Sequence, residues 1–212
     1  MLPLSIMPSR NTIRYDVDAD DQYYHVYARG ASRKDIFLDA DDFSYFLSLF
    51  ARYLGNDKAI SKTGVVYPNY SGAIELIAYC QMTNHFHLLV YQKDKGALSS
   101  FMRSFMTSYS RYFNLKYKLS GSLFESRYKA SLIDDQSYLE HISRYIHMNP
   151  RYWKRYPYSS LQFYFTSNHD DWINPSKIEE LFTSKKEYIQ FLEDYADEKE
   201  ELAELKYLLA DQ

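Results

Sequence analysis

The sequence is poor in cysteine, glycine and proline, and it lacks long apolar runs. Its 212 residues include one cysteine, Cys80, with six glycines and six prolines. A single cysteine excludes an internal disulfide framework and any cysteine-rich zinc module. No stretch approaches the roughly 18 apolar residues of a membrane span, and the N-terminus MLPLSIMPSR lacks the apolar core of a secretory signal. We therefore expect a soluble, cytoplasmic protein with no membrane partner.

A strong net charge is also absent, although the charges are unevenly distributed. The formal net charge is −3, yet residues 99–160 carry 10 Lys and Arg against 4 Asp and Glu, whereas residues 161–212 carry 5 against 13. A basic central segment beside an acidic tail is typical of a polyanion-binding face on a protein that is not basic overall. Solvated helix faces explain the same pattern equally well, so charge alone does not decide.

Aromatic residues are abundant: 23 Tyr and 13 Phe raise the aromatic share to 18%. Tyrosine rings pack in cores and interfaces, and they also stack on unpaired bases. Composition therefore does not decide among these roles. The length allows one sizeable hydrophobic core, and two full domains would be tight.

The hydrophobic pattern predicts the element order β-α-β-β-α-β-α. This order is typical of an α+β, ferredoxin-like fold, in which one antiparallel sheet carries helices on a single face. Asn149-Pro150 ends the last helix, because a residue before proline is disfavoured in the helical region. The predicted strands are 23–29, 73–82, 85–92 and 128–133, and the helices begin near Asp39, Leu98 and Asp134.

Three segments follow from composition and pattern. Residues 1–22 form a polar and acidic arm, residues 23–165 hold the predicted sheet and its helices, and residues 166–212 form an acidic helical extension. The extension has three open interpretations: a dimerisation helix, an inhibitory mimic of DNA, or a solvated appendage. A homodimer is likewise left open.

Two histidines lie two residues apart in the strand predicted at 85–92. Because strand side chains alternate, His85 and His87 point to the same face of the sheet. Two adjacent imidazoles are a natural pair of ligands for one divalent ion. An H-x-H pair alone is a weak signal that needs confirming context.

Tyr145 and Asn149 are four residues apart near the end of the last predicted helix, so they share one helix face. If that face covers the histidine strand, Asn149 supplies a third ligand oxygen and the Tyr145 hydroxyl points at whatever the ion holds. Tyrosine attack on a phosphodiester needs an activated phenol, whose free pKa is about 10, and an electrophile polarised by a cation. Taken alone, an amphipathic stripe and a helix stop explain the same pair.

Five sequence blocks follow one another along the chain: YHVYARGASRKDIF, QMTNHFHLLV, SGSLFESRYKA, YLEHISRYIHMNP and YPYSSLQFY. In this order they resemble blocks of the HUH single-tyrosine transposases of small insertion sequences, above all the REP-associated tyrosine transposases. The resemblance covers about residues 23–165, and the ordered set is far more specific than any one block. RGA at 29–31 departs from the frequent RGN of the family, and the acidic tail lies outside the shared pattern.

The resemblance implies a role for each residue of the two pairs. It implies His85, His87 and Asn149 as metal ligands and Tyr145 as the nucleophile. It also implies an HUH-type fold and cleavage of single-stranded DNA next to a hairpin, with Mg²⁺ or Mn²⁺ and a 5′-phosphotyrosine intermediate. Ligand chemistry by itself favours Mn²⁺ or Zn²⁺ for paired imidazoles, so magnesium rests on the resemblance. A DNA-acting enzyme of this kind is expected at the nucleoid.

DNA contacts are expected in the basic central segment, where cations hold phosphates and neighbouring rings stack bases. Rings interleave with the last three cations. The predicted contacts are Arg103, Arg111, Arg127, Lys129, Arg144, Arg151, Lys154 and Arg155, with Tyr152, Trp153 and Tyr156 among them.

Two other functions remain open at this point. The same fold could serve as a catalytically silent regulator that binds single-stranded or hairpin DNA. A zinc hydrolase would need a carboxylate beside the histidine pair, and the flanks of HFH provide none. The sequence also does not say whether Tyr145 acts with the histidines of its own subunit or of a partner.

Overall fold

The structure is a computed structural model that describes residues 19–166 and 169–195. Most of the predicted N-terminal arm and residues 196–212 of the predicted extension therefore lie outside the described residues. Within these ranges, no helix is both long and apolar enough to cross a membrane.

Four strands form one antiparallel sheet in the order β2-β3-β1-β4. Thr83 and Asn84 make the predicted tight turn between β2 and β3. The α+β class and the ferredoxin-like order of elements are confirmed. The strands are β1 (Gln22–Arg29), β2 (Ile74–Met82), β3 (His85–Gln92) and β4 (Lys129–Ile133).

Two helices pack on one face of this sheet: α1 (Ala40–Leu54) and α2 (Ala97–Tyr117). The side chain of Asp39 caps α1 by accepting a hydrogen bond from the Asp42 amide at 3.1 Å. The apolar stripes of both helices meet strand residues of one parity, such as Val26 and Leu88, in a core rich in phenylalanine and tyrosine.

The helix α3 (Gln136–His147) packs on the opposite face, and here the prediction of helices on a single face is wrong. The central strands are apolar at both parities: Leu88 faces α1 and α2, whereas Leu89 belongs to the cluster under α3. A sheet that is apolar on both sides has to be covered on both sides. The face that α3 covers is also the face of His87, which shares the parity of Leu89.

The described part of the predicted extension belongs to this second layer. The short helix α4 (Ser176–Glu179) contributes Ile178, and a helix over residues 185–195, here α5, contributes Tyr188 and Leu192 to the cluster under α3. The division of the chain at residue 165 stays a prediction.

Several buried or partly buried tyrosines are fixed through their hydroxyl groups to main-chain carbonyls. Tyr109 donates to the Ile36 oxygen at 2.5 Å, Tyr164 to the Ile77 oxygen at 2.9 Å, and Tyr156 to the Gln81 oxygen at 2.7 Å. Each ring therefore fills the core while its polar end satisfies a backbone acceptor. Part of the high tyrosine content is explained by packing in this way.

Candidate active site

Three imidazoles lie together on the sheet face beneath α3. His85 and His87 come from β3, and His25 comes from the neighbouring strand β1. His25 Nε2 and His87 Nδ1 are 2.9 Å apart, and the two buried rings stack with their centroids 5.1 Å apart. His85 is half-buried, and its Nδ1 lies 2.6 Å from the Asn84 side-chain oxygen. Because Nδ1 is engaged in both β3 histidines, Nε2 is the nitrogen that remains for a ligand.

The end of α3 carries Tyr145 and Asn149 over these rings. The Tyr145 ring meets His87 edge-on, with centroids 5.2 Å apart, and it meets His25 in the same way at 5.8 Å. The Asn149 side chain lies close enough to both His85 and Tyr145 to affect the pKa of each. Tyr145 is 40% exposed, so its side chain is partly open to solvent. The structure thus brings together, within one chain, the four residues that the sequence predicted as a site.

Burial keeps these imidazoles neutral. It lowers the pKa of His25 to about 4. It also holds the pKa of His87 well below its ordinary value, with smaller contributions from the positive charges of His25, His85 and Arg29. The pKa of His85 is lowered by burial and by Arg29. A neutral imidazole is the form that binds a metal ion.

The phenol of Tyr145 is subject to opposing influences. Burial raises its pKa above the ordinary value, whereas the hydrogen bond from Asn149 and the charge of Arg29 act to lower it. The phenol is therefore protonated at neutral pH in the free protein. Asn149 and Arg29 both favour the anion that a nucleophilic attack requires.

The side chains at this place fit a divalent cation by their chemistry. His85 and His87 offer two neutral imidazoles, and Asn149 offers an amide oxygen beside His85. Three such ligands leave positions open for water and substrate, as catalytic metal sites require. Among the described residues, no group of three or more His, Cys, Asp or Glu is arranged to hold a metal.

Comparison with known proteins identifies the family of this chain. The profile of the family described as "Transposase IS200 like" matches residues 19–149. The chain belongs to the IS200-like transposase family. Membership assigns it to the DNA-cleaving and strand-transferring enzymes of transposition. No curated protein matches the chain.

A solved structure supports the fold of this transposase. It is the structure of the REP-associated tyrosine transposase bound to a REP hairpin, at 15% sequence identity and a TM-score of 0.50. The likeness covers 74% of this chain and 88% of that chain. The predicted resemblance to HUH single-tyrosine transposases, and the fold it implied, are confirmed.

Two residues of the transposase site were missed by the sequence analysis. The alternation of YYHVYAR in β1 could have placed His25, Tyr27 and Arg29 on one face of the strand. It could not show that β1 lies beside β3, with Tyr27 opposite His87 and Arg29 opposite His85. That pairing is what brings His25 and Arg29 to the site.

The structure divides the predicted DNA-binding residues. Arg127 and Lys129 line a cleft beside the histidines. In contrast, Arg103 and Arg111 are exposed on α2, which packs on the other face of the sheet, so they lie apart from Tyr145. The charge count could not separate these two layers.

The other predicted DNA-binding residues are Arg144, near the end of α3, and residues 151–155, which follow that helix. The Arg144 guanidinium lies over the rings of Phe191 and Tyr195, 4.3 Å from each centroid, so packing against α5 occupies it. Lys154 forms an ion pair with Glu193. Arg151, Tyr152 and Arg155 are exposed, whereas the ring of Trp153 is buried.

A buried histidine fixes the helix that carries Tyr145. His147 Nδ1 lies 2.7 Å from the Tyr188 hydroxyl of α5, and its Nε2 lies 2.8 Å from the Ser160 hydroxyl. Ser160 in turn accepts a hydrogen bond from the Tyr79 amide of β2 at 2.8 Å. Residues beyond the family match thus connect the end of α3 to the sheet and to α5.

We predict that Tyr188→Phe lowers the free energy of unfolding by about 1–3 kcal/mol, because it leaves a buried nitrogen of His147 without its partner. Urea denaturation measures this change. Tyr152→Phe is the matched control, since Tyr152 is 73% exposed, and it should change stability by less than about 0.5 kcal/mol. Equal stabilities for the two variants would contradict the anchoring role of Tyr188.

Proposed function

We propose that this protein is a metal-dependent, single-tyrosine transposase that cuts and rejoins single-stranded DNA flanked by a hairpin. The observation that carries the proposal is the convergence of Tyr145, Asn149, His85 and His87 on one face of the sheet within a single chain. Tyr145 is proposed as the nucleophile, acting beside the histidines of its own subunit. A homodimer is then not required for a complete site.

The proposed chemistry is a transfer of one phosphodiester. The Tyr145 phenol gives up its proton to solvent and its oxygen attacks the phosphorus. The bond between phosphorus and the 3′ oxygen breaks, and the released 3′ oxygen takes up one proton from solvent. A 5′-phosphotyrosine and a free 3′ hydroxyl remain. Attack by a 3′ hydroxyl on the same phosphorus reverses these steps and releases the tyrosine, so the energy of the original bond is retained for rejoining.

His85, His87 and Asn149 are proposed to hold Mg²⁺ or Mn²⁺. A bound divalent ion would polarise the scissile phosphate and stabilise its developing charge. The protein contributes the remaining parts: Asn149 and Arg29 favour the ionised phenol, and the edge contact with His87 fixes the Tyr145 ring. Tyr145 lies near the end of α3 and Asn149 follows two residues after that end, so nucleophile and ligand come from one short stretch of chain.

Hairpin DNA is proposed as the substrate because of the similarity of fold to a transposase of known structure. The similar transposase of known structure is bound to a REP hairpin. In this chain, Arg127 and Lys129 provide cations beside the candidate site, where a single strand leaving a hairpin can lie. Such a substrate also supports the expectation of a cytoplasmic protein that works at the nucleoid.

We predict that Tyr145→Phe abolishes the covalent protein–DNA adduct and leaves DNA binding nearly unchanged, because it removes one oxygen and little volume. The assay uses labelled single-stranded hairpin DNA from the genomic flank of the gene, with Mn²⁺ or Mg²⁺, on a denaturing gel. Tyr138→Phe is the matched control on the same helix and should form the adduct normally, since Tyr138 packs in the core under α3.

An adduct that persists in Tyr145→Phe would overturn the assignment of the nucleophile. If the wild-type protein bound the hairpin and formed no adduct with either ion, the regulator that binds DNA without cutting it would be the better interpretation.

We predict that His85→Ala and His87→Ala each lose metal-dependent cleavage while the protein stays folded. The loss follows from removing one of two imidazole ligands, and it is measured as the rate of strand cleavage against Mn²⁺ concentration. EDTA should abolish cleavage by the wild-type protein. Full activity in EDTA would rule out the metal role of both histidines.

We also predict that His25→Phe weakens Mn²⁺ binding about 10- to 100-fold, the usual effect of losing a residue that orients a metal-ligating histidine. Nε2 of His25 is hydrogen-bonded to His87, and Nδ1 of His25 is buried without a partner among the described residues. The contact with His87 is therefore the one hydrogen bond of this ring within the described ranges. Electron paramagnetic resonance of Mn²⁺ measures the affinity without DNA. His169→Phe, at an exposed position, is the control; equal affinities for both variants would contradict the orienting role.

A further inference from the structure

A cleft adjoins the candidate active site at the end of β1. It has a volume of about 200 Å³ and is lined by Tyr27 and Arg29 from β1 and by residues 125–129 from the segment that leads into β4. Tyr27 connects the cleft to the site, because its ring centroid lies 5.7 Å from that of His87. Arg29 does the same, since it pairs with His85 across the strands.

The backbone fixes the position of this cleft. The Glu125 amide donates to the Arg29 oxygen and the Ala31 amide donates to the Leu123 oxygen, both at 2.9 Å. Gly30 lies at the junction, where a Cβ atom would be 2.1 Å from the Lys34 oxygen, so a larger residue would displace the loop. The two segments that carry the side chains of the cleft are therefore joined by main-chain hydrogen bonds.

Three cations surround the cleft: Arg29, Arg127 and Lys129. The Lys129 ammonium lies over the ring of Tyr27, 5.6 Å from its centroid. Cations near an aromatic ring are the usual combination for a nucleic acid strand, because the cations hold phosphates and the ring contacts a base. At about 200 Å³, the cleft is smaller than typical small-molecule pockets and suits one unit of a chain.

Among the described residues that line this cleft, Glu125 is the one acidic residue. A carboxylate repels phosphates, so it does not serve the general attraction for DNA. It accepts hydrogen bonds, and the exocyclic amino group of cytosine is a donor that carboxylates recognise. Thymine presents a carbonyl at the same position and offers no such donor.

We propose that this cleft binds the nucleotide next to the scissile phosphate and selects a base that presents an exocyclic amino group to Glu125. The proposal rests on the proposed function, because it takes the DNA strand to pass over Tyr145. It adds a specificity-determining residue, Glu125, and a phosphate-binding set of Arg29, Arg127 and Lys129. Cytosine is the pyrimidine that fits, and thymine is disfavoured.

The test compares two labelled homopolymers of about ten nucleotides, oligo(dC) and oligo(dT), by fluorescence anisotropy with the full chain in EDTA. Homopolymers place the same base in the cleft in every register, so the target sequence need not be known. Wild-type protein should bind oligo(dC) at least about fivefold more tightly, which corresponds to the lower end of a good base contact. In Glu125→Ala, the two affinities should become equal through weaker binding of oligo(dC).

Arg127→Ala separates the phosphate contact from the base contact. It should weaken both homopolymers to the same extent and reduce the slope of log affinity against log salt by about 0.7. Lys62→Ala is the matched loss of charge: Lys62 is exposed in the loop before β2, at the opposite edge of the sheet, and both affinities should stay unchanged.

Equal binding of the two homopolymers by wild-type protein, or a preference that survives Glu125→Ala, would overturn the proposal. Because EDTA prevents metal-dependent cleavage, this outcome does not depend on Tyr145 chemistry. If the protein formed the covalent adduct but showed no base preference, the proposed role of the cleft would be wrong and the proposed transposase mechanism would be supported. If it showed a base preference but formed no adduct, the role of the cleft would be supported and the mechanism would be wrong.

Discussion

The site depends on a sheet that is apolar on both faces. One face is covered by α1 and α2, which would suffice for a sheet with a solvated side. The residues of the other parity, Leu89 with Ile77 on β2, require a second cover, and α3 provides it. This helix carries Tyr145, and Asn149 follows two residues after its end. Hydrophobic burial under α3 therefore brings the proposed nucleophile to the histidine strand.

Burial on that face also shapes the chemistry. Removal from water lowers the pKa values of His25 and His87 and raises that of Tyr145. The same low polarity that keeps the imidazoles ready as ligands keeps the phenol protonated. Asn149 acts on both groups, since it raises the pKa of His85 and lowers that of Tyr145, so one amide stands between the proposed metal site and the proposed nucleophile.

The sequence predicts well which residues of one strand or helix lie together, and poorly how the strands and helices pack against one another. Period two in β3 puts His85 and His87 on one face, and helical spacing predicted the closeness of Tyr145 and Asn149, although α3 ends at His147. The prediction that all helices share one face was wrong for α3, because strands that are apolar on both sides do not show which side a given helix covers. His25 and Arg29 were missed since strand order is not local information. Arg103 and Arg111 were grouped with Arg127 because charge along a chain does not distinguish layers.

The bonds of His147 to Tyr188 and Ser160 have a mechanical consequence. His147 lies two residues after Tyr145. Its hydrogen bonds connect the end of α3 to α5 and, through Ser160, to β2. These bonds oppose a movement of the end of α3 between a cutting and a joining position. For the proposed reaction we therefore expect the DNA to move: one 3′ end departs and another arrives, while the covalent linkage stays in place.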